Sequence, residues 1–223
     1  MAGRTKTTSR LGLIALVALL AGCSSAYREN FDVVRQALHR SPKIAPTAAD
    51  VAARPAFQML VQAPGAQAVM VLGGVEGGQL DWYDGKGGGL FVRDGQVVRT
   101  IGLAQNLDDS RWISGNPFAQ GLHRLQGHFT GSRVVDWSPG YRYGVRLDVR
   151  MTPAAMEDVS ILGKVHHLRR IDEQISAPQA GFAASNHYWV DPADGLIWKS
   201  RQTVAPGIEL QTLLLRPYRE AAP

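Results

Sequence analysis

One stretch constrains the fold more than any other: between positions 141 and 150, apolar and polar residues alternate without interruption. The apolar positions are Tyr141, Tyr143, Val145, Leu147 and Val149. Successive side chains of a β-strand point to opposite faces, so this pattern predicts a strand with one apolar and one solvated face. We expect the apolar face to belong to the core of an antiparallel sheet.

Short runs rich in β-branched and aromatic residues recur along the chain and are separated by turn residues. The pair Asp94-Gly95 tolerates positive φ at both turn positions, which predicts a two-residue hairpin between Leu90 and Thr100. The longer turn Asp191–Gly195 predicts a second hairpin. Further strands are predicted at Phe57–Gln62, Gln67–Leu72, Leu162–Ile171 (with Val165, His167, Arg169 and Ile171 on one face) and Ile208–Leu215, with a frayed tail from Arg219.

The pattern nearer the N-terminus differs from that of the strands. Apolar residues recur every three or four positions at Tyr27, Phe31, Val34 and Leu38. This stripe predicts an amphipathic helix that ends at Ser41-Pro42, followed by a loop with a short helical turn around Ala48–Ala52. The sequence therefore predicts a mainly β fold: an antiparallel sheet, as a sandwich or an open barrel-like meander, with a short N-terminal helix.

Residues 1–22 predict a cleaved lipoprotein signal. Positive charges stand at Arg4, Lys6 and Arg10. The apolar run Leu11–Ala21 that follows is shorter than the roughly 20 residues of a transmembrane helix, and it ends at the lipobox-like Leu20-Ala21-Gly22-Cys23. An ordinary signal beside an unrelated cysteine is the alternative, but Cys23 is the only cysteine, which favours its lipidation with acyl chains such as palmitate. We predict one mainly β domain over 23–223.

Lipidation of Cys23 predicts a membrane anchor, since each buried methylene contributes about 0.8 kcal/mol and two or three acyl chains hold a protein stably. Aspartate after the lipidated cysteine retains lipoproteins at the inner membrane of Gram-negative bacteria. Ser24 therefore predicts the outer membrane, with the protein facing the periplasm. Without a second cysteine the domain has no internal disulfide, so its stability must come from its core.

The charge of the chain gives no indication of nucleic-acid binding. Removal of Arg4, Lys6 and Arg10 with the signal lowers the formal charge from +5 to +2. The remaining sequence contains no basic block of the kind that contacts phosphates.

Residues that could carry chemistry lack a supporting pattern. No Gly-x-Ser-x-Gly elbow accompanies Ser114 or Ser132, so both are interpreted as surface serines. Adjacent strand residues point to opposite faces, so His166-His167 alone do not predict a metal site. Asp108-Asp109 and Glu157-Asp158 are predicted to lie in solvated turns. The sequence predicts no catalytic residue, metal or cofactor.

Aromatic residues are the candidates for ligand contact. Trp82 and Tyr83 precede Gly85-Lys86-Gly87-Gly88-Gly89, which lacks the ending of a phosphate loop and predicts a flexible turn. Trp112 lies among polar residues. Exposed rings stack on sugar faces whereas buried rings fill a core, so Trp82, Tyr83 and Trp112 are candidate glycan contacts, with burial as the alternative.

Two segments carry a resemblance to a known family. The first segment runs from Trp82-Tyr83 to Ile101-Gly102-Leu103, and the second comprises Asn186–Pro192 and Gly195–Gln202. Together they resemble the YjbF/GfcB family of exopolysaccharide and group 4 capsule lipoproteins. The resemblance covers essentially the whole mature chain. In the second segment, Trp189 and Trp198 are expected to face each other across the hairpin, while Asp191 and Gly195 shape its turn.

The resemblance implies a mostly antiparallel β fold in the periplasm and no enzyme activity. The leading hypothesis is a nonenzymatic accessory lipoprotein of polysaccharide secretion or assembly, whose partners are the membrane, through its lipid, and outer-membrane or periplasmic export proteins. A glycan-binding module and a polysaccharide-modifying enzyme are the alternatives. The first would line exposed tryptophans along a groove, and the second would place paired carboxylates or a nucleophile and its base in one cleft.

Overall fold

Short turns connect antiparallel strands along almost the whole described chain. The structure is a computed structural model that describes residues 43–140 and 142–219. All of these lie in one of the chain's two compact units, Lys43–Pro223. Within the described ranges there are twelve strands: β1 (Gln58–Ala63), β2 (Ala66–Glu76), β3 (Gln79–Tyr83), β4 (Gly89–Arg93), β5 (Gln96–Ile101), β6 (Asn106–Ser114), β7 (Phe129–Ser138), β8 (Arg142–Ile161), β9 (Lys164–Ala177), β10 (Phe182–Val190), β11 (Ile197–Ala205) and β12 (Ile208–Arg216).

The strands form one antiparallel sheet that curls until it is nearly closed into a barrel. Each strand pairs with its neighbours in sequence except at β5 and β6, which do not pair with each other, and β1 additionally pairs with β12, with Leu60 opposite Leu213. The sheet order therefore ends at β5 on one side and β6 on the other. These two edge strands are consecutive in the chain, so the short segment 102–105 brings them side by side.

Inward-facing side chains from around the sheet form the core. The largest fully buried ones include Trp82, Trp137, Tyr188, Leu147, Met151, Ile171 and Leu210. The indole of Trp137 donates to the carbonyl oxygen of Val204 at 2.8 Å, so its polar atom is satisfied within the interior. Burying each apolar side chain of this kind contributes about 1.5–3 kcal/mol.

The described helical segments are short. They are α1 (Ala48–Ala52), α2 (Pro117–Gln120) and the 3₁₀ turns Leu122–Arg124 and Pro178–Ala180. Asn116 caps α2 by accepting from the backbone N–H groups of Phe118 and Ala119, and the first helical position is Pro117. This cap directs Phe118 and Leu122 into the core. None of the helices described is long and apolar enough to cross a membrane.

The β8–β9 hairpin is longer than its neighbours and covers part of the outer surface. Its ladder shifts between Pro153 and Met156, and β9 continues beyond the end of β10, where Val190 pairs with Arg169. The His166 ring lies 4.2 Å from the Trp198 ring on β11. The hairpin tip, 159–162, borders a cleft that Leu60 and Leu213 line from β1 and β12.

Most strand predictions agree with the structure. Both predicted hairpins are present, with positive φ at Asp94 and Gly95 (52° and 84°). In the second turn Gly195 has φ 78°, and the Asp191 backbone N–H and C=O both form turn hydrogen bonds. The helical turn at Ala48–Ala52 is confirmed. The predicted helix with the stripe Tyr27 to Leu38 lies outside the described residues.

Four local predictions are wrong. Tyr143 is 59% exposed, because the alternating face of β8 enters the core only from Leu147 onward. Ser132, interpreted as a surface serine, is only 2% exposed, because it packs against β6, where its hydroxyl bonds Ser114. The carboxylate pairs at 108–109 and 157–158 lie within β6 and β8, not in turns. Trp189 faces Lys199 instead of Trp198, because the ladder shifts after Trp189.

The Asp94-Gly95 turn predicts a specific sensitivity to substitution. A Cβ on Gly95 would lie 2.3 Å from Cδ1 of Ile197, whereas Gly207, with a similar φ of 75°, has no neighbouring atom within 4 Å. We expect Gly207→Ala to cost roughly 1 kcal/mol from backbone strain, and Gly95→Ala clearly more, because it adds a steric clash. Urea unfolding of both variants measures the difference. Equal losses would show that Ile197 does not confine the turn.

Candidate functional site

The line where β5 and β6 meet, here called the seam, is joined by side chains instead of a strand ladder. The backbone N–H of Leu107 donates to Oγ1 of Thr100 at 2.9 Å. The indole N–H of Trp112 donates to Oε1 of Gln96, also at 2.9 Å. Among the described residues no ladder links the two strands. The barrel is therefore closed by individual polar contacts, which leave room between them.

Behind the seam lies a buried ion pair. The Glu173 side chain is fully buried, and its Oε1 accepts from Nη1 of Arg133 at 3.0 Å. Oε2 accepts from Nδ2 of Asn186 at 2.7 Å and from the Tyr188 hydroxyl at 2.8 Å. A buried carboxylate is costly unless it is paired and hydrogen-bonded, and both oxygens of Glu173 meet that condition. β7, β9 and β10 are thereby tied together inside the barrel.

The ionisation of Tyr188 is controlled by the same surroundings. Burial raises the pKa of the Tyr188 hydroxyl well above its ordinary value, and the neighbouring Glu173 carboxylate raises it further. The hydroxyl therefore keeps its proton at neutral pH and acts as a donor to Glu173.

Gln202 continues the polar interior to the seam. Its Oε1 accepts from the backbone N–H of Val97 on edge strand β5 at 3.0 Å. Its Nε2 donates to Oγ of Ser200 at 2.9 Å and to the carbonyl oxygen of Gly95 at 3.3 Å. An edge-strand amide that has no ladder partner is thus satisfied by a side chain from β11.

Three buried polar atoms at the seam have no hydrogen-bond partner among the described residues. They are Nε2 of Gln96, Oγ of Ser110 and Nε of Arg133. Gln96 and Ser110 line an outer cleft of about 460 Å³. Ser110 and Arg133 line a cavity of about 10 Å³ directly inside it, together with Asn186 and Gln202. Ser110 therefore stands between the cleft and the buried ion pair.

The mouth of the cleft carries equal numbers of positively and negatively charged side chains. Arg93 and Arg111 line it together with Asp94 and Asp109. Hydrogen bonds that Arg111 donates to Asp109 and to Asp136 raise the pKa of this guanidinium above its usual range, so it is engaged by two carboxylates of the protein. Trp112 and Asn116 complete the polar and aromatic lining.

The three aromatic candidates occupy different places. Trp112 lines the cleft. Trp82 is only 1% exposed and belongs to the core, beside a separate cavity of about 630 Å³, so the structure favours its alternative role as a core residue. Tyr83 is 43% exposed and packs edge-on against Phe91, with ring centres 6.0 Å apart. The structure does not bring the three together, and Cys23 lies outside the described residues.

The other residues considered for chemistry make local contacts. The hydroxyls of Ser114 and Ser132 lie 3.0 Å apart and bond each other. His167 bonds Asp158, and Glu157 bonds both Arg170 and the Trp189 indole. In the glycine-rich turn, Asp84 accepts from the backbone N–H groups of Lys86 and Gly88. Within the described ranges no group of three or more His, Cys, Asp and Glu residues is placed to hold a metal ion.

The family model described as "Group 4 capsule polysaccharide lipoprotein gfcB, YjbF" matches residues 31–215. The chain belongs to this family. Two relatives of the YjbF/GfcB family in Escherichia coli (strain K12) are similar over nearly their full length. The lipoprotein GfcB is 24% identical over 209 residues, covering 92% of this chain and 97% of GfcB. The lipoprotein YjbF is 25% identical over 215 residues, covering 95% of this chain and 99% of YjbF.

The crystal structure of the hypothetical lipoprotein YmcC from Escherichia coli (K12) has a similar fold. Its TM-score is 0.70 at 22% sequence identity, covering 85% of this chain and 96% of YmcC. The expected YjbF/GfcB membership and the mainly β, antiparallel fold are therefore confirmed.

Apart from Trp112, the sequence does not single out the residues of the buried ion pair or of the seam. One signal was present: Glu173 occupies an inward position between Ile171 and Ile175, where the alternation calls for an apolar residue. Such a residue must find a partner, but the partner Arg133 is 40 positions away in the chain. Asn186, Tyr188 and Gln202 do fall within the segments that carry the family resemblance.

The ion pair predicts a large stability effect. Arg133→Met should lower the free energy of unfolding by about 3–5 kcal/mol, because it leaves the Glu173 carboxylate buried without its cation. Glu173→Gln in the same background should recover part of the loss by removing that charge. Urea unfolding measures both. Arg146→Met, which removes the exposed pair with Asp148, is the control and should cost less than about 1 kcal/mol. A loss at Arg133 no larger than at Arg146 would contradict the prediction.

Proposed function

We propose that this protein is a nonenzymatic accessory of exopolysaccharide or capsule polysaccharide secretion and assembly. The observation that carries the proposal is the family match over residues 31–215, because the family is described by its association with group 4 capsule polysaccharide. In this proposal the lipid on Cys23 anchors the protein in the outer membrane, and the barrel faces the periplasm. Its protein partners are outer-membrane or periplasmic components of the export machinery.

The use of the buried polar groups supports a role without catalysis. Glu173 is paired with Arg133 and accepts two further hydrogen bonds, so both of its oxygens are used in holding the barrel together. A general acid or base needs freedom to exchange its proton with a bound substrate. The contacts of Glu173 instead hold neighbouring strands in register.

A second candidate function, glycan binding, is favoured by the cleft at the seam. Trp112, the one sequence-predicted aromatic contact in that cleft, lies beside polar groups that the fold leaves without partners. Binding of a polysaccharide is compatible with an accessory role in its secretion.

The anchor can be tested in cells. The gene is deleted and complemented with the wild type, Cys23→Ala or Ser24→Asp, and polysaccharide is measured in the medium, on the surface and in the periplasm. We expect deletion to lower the released polysaccharide several-fold, and only the wild type to restore it. Cys23→Ala removes the lipid. Ser24→Asp retains the lipid but directs the protein to the inner membrane.

The two variants separate the lipid from its location. Cell fractionation and immunoblotting must show that each variant accumulates in the envelope. Full restoration by Ser24→Asp would mean that any membrane suffices, and full restoration by Cys23→Ala would overturn the anchoring part of the proposal. An unchanged yield with altered chain length or substitution in the deletion strain would favour a polysaccharide-modifying enzyme.

A further inference from the structure

We propose that the cleft at the seam, lined by Gln96, Ser110 and Trp112, binds a neutral, hydroxyl-rich segment of the exported polysaccharide. This inference rests on the proposed function and adds to it the site and the chemical class of the ligand. The cleft volume, about 460 Å³, lies within the range of about 300–1,000 Å³ that is usual for small-ligand sites.

The unpartnered polar atoms are the first step of the argument. An indole N–H can only donate, so the atom of Gln96 that faces Trp112 is the carbonyl oxygen Oε1, and the amide nitrogen Nε2 is the remaining group. Gln96 is only 3% exposed, and its Nε2 has no hydrogen-bond partner among the described residues. A buried donor without a partner costs about 1–3 kcal/mol, so a site that supplies an acceptor removes a real penalty.

Ser110 complements this donor. Its hydroxyl can both donate and accept, and within the part of the chain that the structure describes it is buried without a partner on the wall of the same cleft. Sugar hydroxyls have the same dual capacity, so one hydroxyl can accept from Gln96 while another exchanges a hydrogen bond with Ser110. A purely apolar ligand would leave both groups unsatisfied.

Trp112 supplies a rigid aromatic surface beside these groups. Its ring packs against Phe118 and Phe129, with ring centres 6.1 and 6.0 Å away, and the guanidinium carbon of Arg133 lies 5.6 Å from its centre. The bond to Gln96 fixes its edge. Because neighbouring side chains hold this ring in place, it offers contact area to a ligand with little further loss of side-chain entropy, as aromatic residues do at glycan-binding surfaces.

The charges at the cleft favour a neutral chain over a polyanion. Two arginines and two aspartates line the mouth, and Arg111 is already engaged by Asp109 and Asp136. A strongly acidic polymer would meet Asp94 and Asp109 without an excess of cations to offset the repulsion.

An extended peptide is the competing occupant, since open strand edges commonly accept an added strand. The seam is poorly suited to it. The backbone N–H groups of Val97 and Leu107 are already bonded to Gln202 and Thr100, and the Trp112–Gln96 bond crosses the gap. An inserted strand would have to break these contacts, whereas a glycan in the outer cleft leaves them intact.

The test uses the mature lipidated protein in a detergent without a sugar headgroup. The probe is a set of size-fractionated oligosaccharides, prepared by partial acid hydrolysis of the polysaccharide that the producing cells secrete. Calorimetric titration measures Kd. We expect saturable binding that Ser110→Ala weakens about 3- to 10-fold, as loss of one hydrogen bond does. Because Oγ of Ser110 bonds to none of the residues that the structure describes, the same variant should unfold in urea at an unchanged or higher midpoint.

Two further variants sharpen the result. Gln96→Glu keeps the acceptor for Trp112 but removes the Nε2 donor, so it should also weaken binding. Ser138→Ala is the matched control, because that hydroxyl donates to Asp108 at 2.7 Å, outside the cleft. It should bind like the wild type. Absence of saturable binding would overturn the inference. Equal Kd values for the wild type and both cleft variants would also overturn it, because the oligosaccharide would then bind at a site that does not depend on Gln96 or Ser110.

The inference and the proposed function can fail separately. If Ser110→Ala restores secretion fully in the deletion strain and the purified wild-type protein does not bind the oligosaccharides, the glycan site is wrong while the accessory role stands. If the protein binds but deletion leaves secretion unchanged, the accessory role is wrong while the site stands. Saturable binding of peptides instead of oligosaccharides would replace the glycan with a strand at the seam.

Discussion

A carboxylate buried inside the barrel has to be neutralised, and this requirement organises the interior. Glu173 is fully buried and holds Arg133, Asn186 and Tyr188 around its two oxygens. Loss of Arg133 would leave the Glu173 carboxylate buried without a cation, at a cost comparable to a large part of the stability of a domain. The register of β7, β9 and β10 is consequently fixed by polar contacts as well as by apolar packing. Gln202 extends this order to β5, the strand whose outer edge is unpaired.

The seam follows from how the sheet closes. Full closure of a barrel pairs every backbone group and removes all strand edges. Here β5 and β6 approach closely enough for Thr100 and Gln96 to reach across, but they do not form a ladder. Side-chain bridges satisfy the hydrogen-bonding capacity of some polar groups at the seam but not of others. For this reason three buried polar atoms there have no partner among the described residues. The proposed site for a hydroxyl-bearing ligand thus rests on incomplete closure and requires no separate binding loop.

The sequence predicts local structure here better than it predicts closure. Period-two alternation and the turn pairs depend on neighbouring residues, so the strands and the Asp94-Gly95 hairpin could be located directly. Asp108 and Asp109 were misplaced in a turn because polar residues on an edge strand look like loop residues in a sequence. Trp82 looked like a surface residue beside a glycine-rich turn, yet its strand alternation directs it inward. Contacts such as Arg133 with Glu173 join distant strands, and no local pattern specifies them.

The resemblance to the family and the candidate binding site rest on partly different residues. Asn186, Tyr188, Ser200 and Gln202 lie within the recognised segments and all belong to the polar interior that supports the barrel. Ser110 and Trp112 lie on β6, between those segments, and of the three proposed contact residues only Gln96 lies in a recognised segment. Family membership therefore identifies the architecture through its interior contacts. Ser110 and Trp112 make none of the described hydrogen bonds that involve Glu173 or Gln202, so the proposed contact residues on β6 are separate from those that hold the barrel interior together.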